Sequence, residues 1–248
     1  MIIQFTSDIH LDDIKTYHIS PFDYIKPKGD ILILAGDIAS FYNIDLLDRF
    51  IQPLTKCFKL ILYIPGNHEY YYYRKTKIRY KMKDLFQNAL VLEKKYDNFY
   101  FLNCSSILIG NVCIAGCTLW TPYNDILPHY MRIYKMNTKI YNQLHNKHLD
   151  YLKKINQFCE KNKHKLIIVT HHCPLSDSKS KDETKLNKLY YANVPLSQFK
   201  ACSTWIYGHT HNNIDIKYNN IHIISNQRKQ SQHYNQTIEY SHQKLINI

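Results

Sequence analysis

The chain has 248 residues, 45% of them hydrophobic, so it can bury a core large enough to fold without disulfide staples. Its seven cysteines, at 57, 104, 113, 117, 159, 173 and 202, are odd in number, irregularly spaced and free of any CxxC pair; this argues against a secreted disulfide framework and for free thiols in a reducing compartment. The N-terminus lacks a basic leader with an apolar core, and no run approaches the roughly 18 to 20 apolar residues of a membrane helix, so the expectation is a soluble, intracellular, cytoplasmic protein with no membrane partner.

The first third alternates short apolar runs with polar or helical stretches. Ile2–Thr6, Asp30–Ala35 and Leu60–Ile64 read as strands, and continuous apolar runs bounded by Gly, Pro and Asp suit strands covered on both faces of a parallel sheet. Helical spacing over Asn43–Phe58 lines up Leu46, Leu47, Phe50 and Ile51, and a second helix is expected over Lys77–Leu92. Phe99–Leu102, Ser106–Ile109 and Val112–Cys117 follow as close-set strands, with Gly110-Asn111 as a hairpin turn. A long helix is predicted across Met136–Lys161, then strands at Leu166–Thr170 and Thr204–Tyr207 and a closing hairpin, Ile214–Lys217 and His222–Ser225. Residues Ser176–Asn187 read as an exposed, mobile loop. No repeat, linker or low-complexity segment divides the chain, so one domain over residues 1–248 is expected.

Five polar clusters each follow a predicted strand: Asp8-Ile9-His10, Gly36-Asp37, Gly66-Asn67-His68-Glu69, His171-His172 and Gly208-His209-Thr210-His211. Ligands of parallel sheets bind at the carboxyl ends of the strands, so these clusters form one site if the strands are neighbours. In Asp-x-His and His-x-His the two side chains lie two residues apart; an extended backbone would point both the same way, so that each pair grips one ion. Imidazole, carboxylate and amide oxygen without thiolate suit Mn, Fe, Zn or similar ions. Seven such ligands exceed one tetrahedral ion and suit two ions sharing a carboxylate.

The order of these motifs resembles the calcineurin-like metallophosphoesterase superfamily, with every motif position filled from Asp8 to His211. Gly-Asn-His-Glu and Gly-His-Thr-His are the specific signals; Gly-Asp alone would carry nothing. Tyr70, Tyr71 and Leu119-Trp120-Thr121 are similar to segments of small bacterial-type members. The resemblance implies a four-layer α/β/β/α sandwich with the metal site at the carboxyl edge of the sheets. It implies that Asp8, His10 and His211 hold one divalent metal ion and Asn67, His171 and His209 a second, with Asp37 bridging them. His68 would face the substrate phosphate, stabilising its charge or protonating the leaving oxygen. The activity implied is hydrolysis of a phosphate ester through a metal-bound hydroxide.

Substrate contacts are expected from Arg74, Tyr71, His172 and Arg228. The Tyr70–Tyr73 run followed by Arg74 could stack a nucleobase and hold phosphate, or two of the tyrosines could pack and two be solvated. His171 directly follows its strand and fits the ligand position; His172 is then a substrate-facing or supporting residue. Glu69 is expected to orient a ligand or cap the following turn. Trp120 is either a substrate-loop residue or a core plug under the site. Asn226-Gln227-Arg228 stands where related sequences often carry Asn-Pro-Arg, so Arg228 could approach the site or remain a surface arginine. The formal charge of +12 favours phosphate-rich partners, although scattered lysines also fit compositional drift. The expected partner is a phosphorylated small molecule or nucleotide, leaning to a phosphodiester. Polymeric nucleic acid would need a basic track that the scattered lysines do not show, and a dead scaffold would have lost ligands that are all present here.

Overall fold

The computed structural model describes residues 1–14, 19–73, 77–128, 131–176, 189–228 and 238–247. Two sheets form. The first has the order β11-β1-β2-β3-β4, from β1 (Ile2–Thr6), β2 (Ile31–Leu34), β3 (Leu60–Tyr63), β4 (Phe99–Phe101) and β11 (Leu245–Asn247). The second has the order β5-β6-β7-β8-β10-β9, from β5 (Ser105–Ile109), β6 (Val112–Cys117), β7 (Lys165–Thr170), β8 (Cys202–Tyr207), β9 (Asp215–Tyr218) and β10 (Ile221–Ser225). β1 through β4 pair in parallel, as do β6-β7-β8-β10; β11, β5 and β9 are antiparallel edge strands.

Alternation along these strands builds the layers. Ile3, Phe5, Ile31, Ile33, Leu62 and Ile64 of the first sheet meet Ile114, Ile167, Val169, Ile206 and Ile224 of the second in one buried cluster. The opposite face of the first sheet offers Leu32, Leu34, Ile61 and Tyr63 to α1 (Ile44–Thr55), α2 (Met82–Ala89) and α3 (Val91–Lys95). Cys113, Ala115, Leu166, Ile168 and Trp205 on the far face of the second sheet pack with Leu152 and Cys159 of α4 (Thr138–Asn162). The result is helices, sheet, sheet, helix, an α/β/β/α arrangement held by strands that are apolar on both faces.

The sequence expectations hold for most elements, with differences at three places. The helix expected over Lys77–Leu92 begins only at Met82 and breaks at Leu90. The Tyr42 hydroxyl takes both the N–H (2.8 Å) and the carbonyl (3.4 Å) of Tyr80, which holds that stretch out of the helix. β11 carries no strong apolar pattern and exists because β1 offers it an open edge. The closing hairpin turns on Asn219-Asn220, both left-handed at φ 50° and 63°, one residue tighter at each end than expected. The loop expected over Ser176–Asn187 falls almost wholly outside the described residues.

Candidate metal centre

The strands that precede the five polar clusters are neighbours within their sheets. β1, β2 and β3 lie side by side and end next to Asp8 and His10, Asp37, and Asn67 and His68; β7 and β8 end next to His171 and His172, and His209 and His211. All point their carboxyl ends to the same edge of the sandwich. Two glycines allow this crowding. A side chain at Gly36, which has φ +90°, would run into the His171 ring, and one at Gly66 into Asp37 Oδ1.

Acceptor atoms gather in two sets. In the first, His171 Nε2 lies 3.0 Å from Asn67 Oδ1, 3.2 Å from His209 Nδ1 and 3.3 Å from Asp37 Oδ1. The outer atoms of these side chains fix which atom faces inward. His171 Nδ1 donates to the Ala35 carbonyl (2.9 Å), His209 Nε2 to the Leu189 carbonyl (3.2 Å), and Asn67 Nδ2 to the Tyr71 hydroxyl (3.1 Å). Each therefore turns a lone pair toward the others. In the second set, His211 Nε2 is 3.3 Å from His10 Nε2 and 3.4 Å from Asp8 Oδ1, and His10 Nε2 is 3.7 Å from Asp37 Oδ2. Lone pairs assembled in this way repel one another unless a proton or a cation stands among them. Carboxylate, amide oxygen and imidazole are the donor types of divalent Mn, Fe or Zn, so the residues present fit two such ions, with one oxygen of Asp37 turned to each set.

The two histidines of His-x-His do not grip one ion site together, as an extended backbone would have them do. His209 groups with Asp37 and His171, whereas His211 groups with Asp8 and His10. Both histidines have left-handed backbones, φ 72° and 51°, so strand alternation does not apply and the pair divides between the two sets.

Electrostatics reinforces the grouping. Burial alone would raise Asp37, but the charges of His171 and His68 hold it well below the usual carboxylate range. Burial likewise works against Asp8, which the His211 hydrogen bond and the His171 charge keep lowered. Burial would lower His171, yet Asp37 overrides it and carries it up to about 9. His172 and His209 are pushed well below their ordinary value, first by burial and then by neighbouring histidines.

Glu69 organises the frame from behind. Its buried carboxylate accepts the N–H groups of Asp37 (3.0 Å), Ile38 (2.8 Å) and Gly66 (2.8 Å) and the Tyr63 hydroxyl. Burial and the Asp37 charge push its pKa up to about 8, against four donors that all favour the anion. It thus orients the Asp37 backbone, the first of the two roles expected of it, and among the described residues its side chain bonds no N–H of the turn that follows it.

The remaining expected residues separate. His68 is 38% exposed, stacks on Tyr71 (ring centroids 4.4 Å) and meets His10 edge-on at 4.6 Å. Tyr71 and His172 both line the cleft over the acceptor sets, while Trp120 is fully buried beneath it against Tyr70, Tyr141 and His172. Arg228 is exposed with its guanidinium over the Tyr24 ring, and it is absent from the cleft lining. Arg74 lies outside the described residues. Of the tyrosine run, Tyr70 and Tyr71 are buried and Tyr73 is exposed.

Several site residues escaped sequence reasoning. Met131, Tyr141, Leu189 and Tyr190 line the cleft from loops and a helix end that carry no motif. Arg132 places its guanidinium over Tyr71, 5.8 Å from the ring centroid. Gln227 is fully buried; its Oε1 accepts the His211 N–H (2.6 Å) and its Nε2 donates to Thr210 Oγ1 (3.0 Å) and the Asn212 carbonyl (2.9 Å). The replacement of Pro by Gln at this position was the available signal.

Comparison with known proteins agrees with this fold. A protein of Acanthamoeba polyphaga mimivirus, itself uncharacterised, is 27% identical over 275 residues, 97% of this chain and 95% of that one. The solved phosphopantetheinyl hydrolase of Mycobacterium tuberculosis superimposes with a TM-score of 0.71 at 13% identity, over 98% of this chain and 95% of that one. A Staphylococcus aureus protein assigned as a 5′-nucleotidase superimposes with a TM-score of 0.50 at 16% identity, over 92% of this chain and 48% of that one. The sequence model of the calcineurin-like phosphoesterases matches residues 1–213, and the chain belongs to that family of metal-dependent phosphoester hydrolases, which use two divalent metal ions.

Proposed function

We propose that this protein is a cytoplasmic, single-domain phosphodiesterase acting on a small nucleotide-like ester, with manganese as a competent metal. The observation that carries this reading is the cleft. About 100 Å³ in volume, it joins both acceptor sets to an aromatic wall of Tyr71, Tyr141 and Tyr190. So narrow a cleft takes the ester group of a small ligand rather than a duplex, and the tyrosines offer faces for a planar group. The 5′-nucleotidase neighbour and the charge of +12 are consistent with it.

In this reading Asp8, His10 and His211 hold one ion, Asn67, His171 and His209 the other, and Asp37 serves both. When bound, two divalent ions supply Lewis acidity at the phosphoryl oxygens and lower the pKa of water. The protein does the rest. Glu69 and Gln227 fix the ligand-bearing turns, and Trp120 floors the cleft. His68, held at its ring by Tyr71, is placed to donate to the phosphoryl group or the departing oxygen. Arg132 supplies positive charge beside Tyr71. The test is hydrolysis of bis-p-nitrophenyl phosphate beside p-nitrophenyl phosphate by metal-stripped protein resupplied with Mn, Fe or Zn. Faster turnover of the diester in Mn, absent in Asp37→Asn, is the expected result; a faster monoester rate would overturn the diester assignment.

A further inference from the structure

The segment that leaves β6, residues 118–125, holds a conformation its side chains do not favour. Leu119 and Trp120 have φ 68° and 22°, a region that is costly for bulky residues and persists only while the surroundings enforce it. The enforcing groups stand on one helix. Thr138, Tyr141, Asn142, His145 and His148 recur at spacings of three and four residues, which aligns them along one face of α4. They bond the segment in reversed order. Thr138 Oγ1 donates to the Asp125 carbonyl (2.7 Å), and Asn142 takes both the N–H (2.8 Å) and the carbonyl (2.6 Å) of Tyr123. The Tyr141 hydroxyl meets Thr121 Oγ1 at 3.1 Å. His145 Nδ1 donates to the carbonyls of Trp120 (2.7 Å) and Leu119 (3.2 Å), and His148 Nδ1 accepts the Leu119 N–H (3.0 Å).

The two histidines are buried and carry opposite tautomers. A carbonyl only accepts, so Nδ1 of His145 holds the proton; an N–H only donates, so Nδ1 of His148 holds a lone pair. The strained residues are thus gripped at donor and acceptor alike. The grip reaches the site through Thr118. Its carbonyl accepts the His172 N–H (3.0 Å) and Nδ1–H (3.2 Å), and its hydroxyl donates to the Pro65 carbonyl (2.7 Å), next to Gly66. His172 lines the cleft with its ring centroid 4.0 Å from that of His209, and the Trp120 ring backs it at 5.5 Å.

We propose that His145 and His148 are positioning residues for the hydrolysis: by fixing Leu119 and Trp120 they set the His172 wall of the cleft against which the ester lies. Neither histidine lines the cleft or belongs to an acceptor set. This role rests on the cleft being the ester site but not on a preference for diesters. Because the clamp acts on the wall and not on the turns that carry the proposed metal ligands, substrate affinity should suffer before the chemistry does.

The test replaces each histidine by leucine, which fills space without hydrogen bonds, and by asparagine, whose amide offers a donor or an acceptor near the Nδ1 position. In full-length, metal-loaded protein, His145→Leu and His148→Leu should each raise KM for the better of the two p-nitrophenyl esters about tenfold, with kcat changed less than about threefold. Both metals should be retained by elemental analysis. His145→Asn and His148→Asn should return KM to within about threefold of wild type. His145→Gln and His148→Gln, whose amides reach the Nε2 position instead, should behave as the leucine variants do and serve where those fail to fold. A second readout needs no turnover. Trp120 and Trp205 are the two tryptophans, both fully buried, and Trp205 sits in the core cluster on the far face of the second sheet with its Nε1 on Thr170. Acrylamide should therefore quench about half of the tryptophan emission in the leucine variants and little in the wild type or the asparagine variants. Wild-type KM and a shielded Trp120 in the leucine or glutamine variants would overturn the assignment. Asparagine variants no better than leucine would also overturn it, since the histidines would then merely fill space. If the wild type turns over neither ester, the ester-site reading fails; affinity for inorganic phosphate by calorimetry then stands in for KM, and the same pattern across the variants supports the clamp while its absence overturns it.

Discussion

Gln227→Ala tests how the Gly-His-Thr-His turn is held. The backbone of Gln227 exchanges bonds with the Asn213 side chain, N–H to Oδ1 at 2.6 Å and Nδ2–H to the carbonyl at 3.2 Å, and alanine keeps both. What disappears are three side-chain bonds, to the His211 N–H, Thr210 Oγ1 and the Asn212 carbonyl. At roughly 0.5–1.5 kcal/mol each, their loss sums to about 3 kcal/mol. The His211 N–H is only partly buried and can recruit water, which keeps the cost from the upper end of that range. His211 has φ 51°, a conformation that costs a non-glycine residue about 1–3 kcal/mol and persists only while its surroundings enforce it. Without the Gln227 bond the turn can relax and swing the imidazole away from Asp8 and His10. Urea unfolding of the metal-free protein should show the loss of about 3 kcal/mol. Competition with a chromogenic chelator should show one of two metals weakened roughly 10–100-fold, the usual cost of losing a residue that orients a ligand. The second metal, in the His171 and His209 set, should bind as before. Equal weakening of both metals, or stability within about 0.5 kcal/mol of wild type, would refute the reasoning. Gln227→Pro removes the Asn213 bond as well and should be worse than alanine here.

Four further outcomes follow from the same site. Glu69→Gln has one amide oxygen for four donors, so at least one buried donor is left without an acceptor; urea unfolding of the metal-loaded protein should show a loss of about 1–3 kcal/mol. Asp37→Asn should abolish turnover and weaken both metals in calorimetry, and retention of either full affinity would remove Asp37 from one set. His68→Ala should lower the rate by roughly 10²–10⁴-fold with both metals still bound by elemental analysis, as befits a proton donor; metal loss would make it a ligand. Chelation should lower the melting temperature by about 10–20 °C if both metals are supplied at about 100 times their dissociation constants, and no shift would mean the acceptor sets are satisfied without cations.

The fold was legible because its strands are apolar on both faces. β1, β2, β3, β6 and β7 all show runs that only a covered parallel sheet accommodates, and their limits shift by no more than a residue or so between sequence and structure. The gathering of the proposed ligands was legible for a related reason, since polar residues directly after such runs have nowhere to go but the carboxyl edge. The cleft walls were not. Met131, Leu189 and Tyr190 come from connections without periodicity, and their positions depend on tertiary contacts such as the Leu189 carbonyl on His209. Arg228 shows the converse failure: proximity in sequence to the final strand says nothing about which way a side chain leaves it.

Backbone conformation is the level at which the motif acquires its meaning. Asp8, His10, Asp37, His209 and His211 all have φ between 51° and 72°, so five of the seven proposed ligands occupy the left-handed region. Asp and His tolerate that region better than branched residues do, yet at about 1–3 kcal/mol each the site stores a strain comparable with the whole stability of an ordinary domain. Neighbours must enforce it. The surrounding hydrogen bonds do so: Glu69 on the Asp37 N–H, Asp8 on the His209 N–H at 3.1 Å, and Gln227 on the His211 N–H at 2.6 Å. Gly36, Gly66 and Gly208 leave the space into which these ligands turn. The spacing rule of strands therefore does not describe how these residues converge. Asp-x-His and His-x-His gather at the edge because each turn is bent out of the strand, and bending is what lets His209 and His211 join two acceptor sets instead of one.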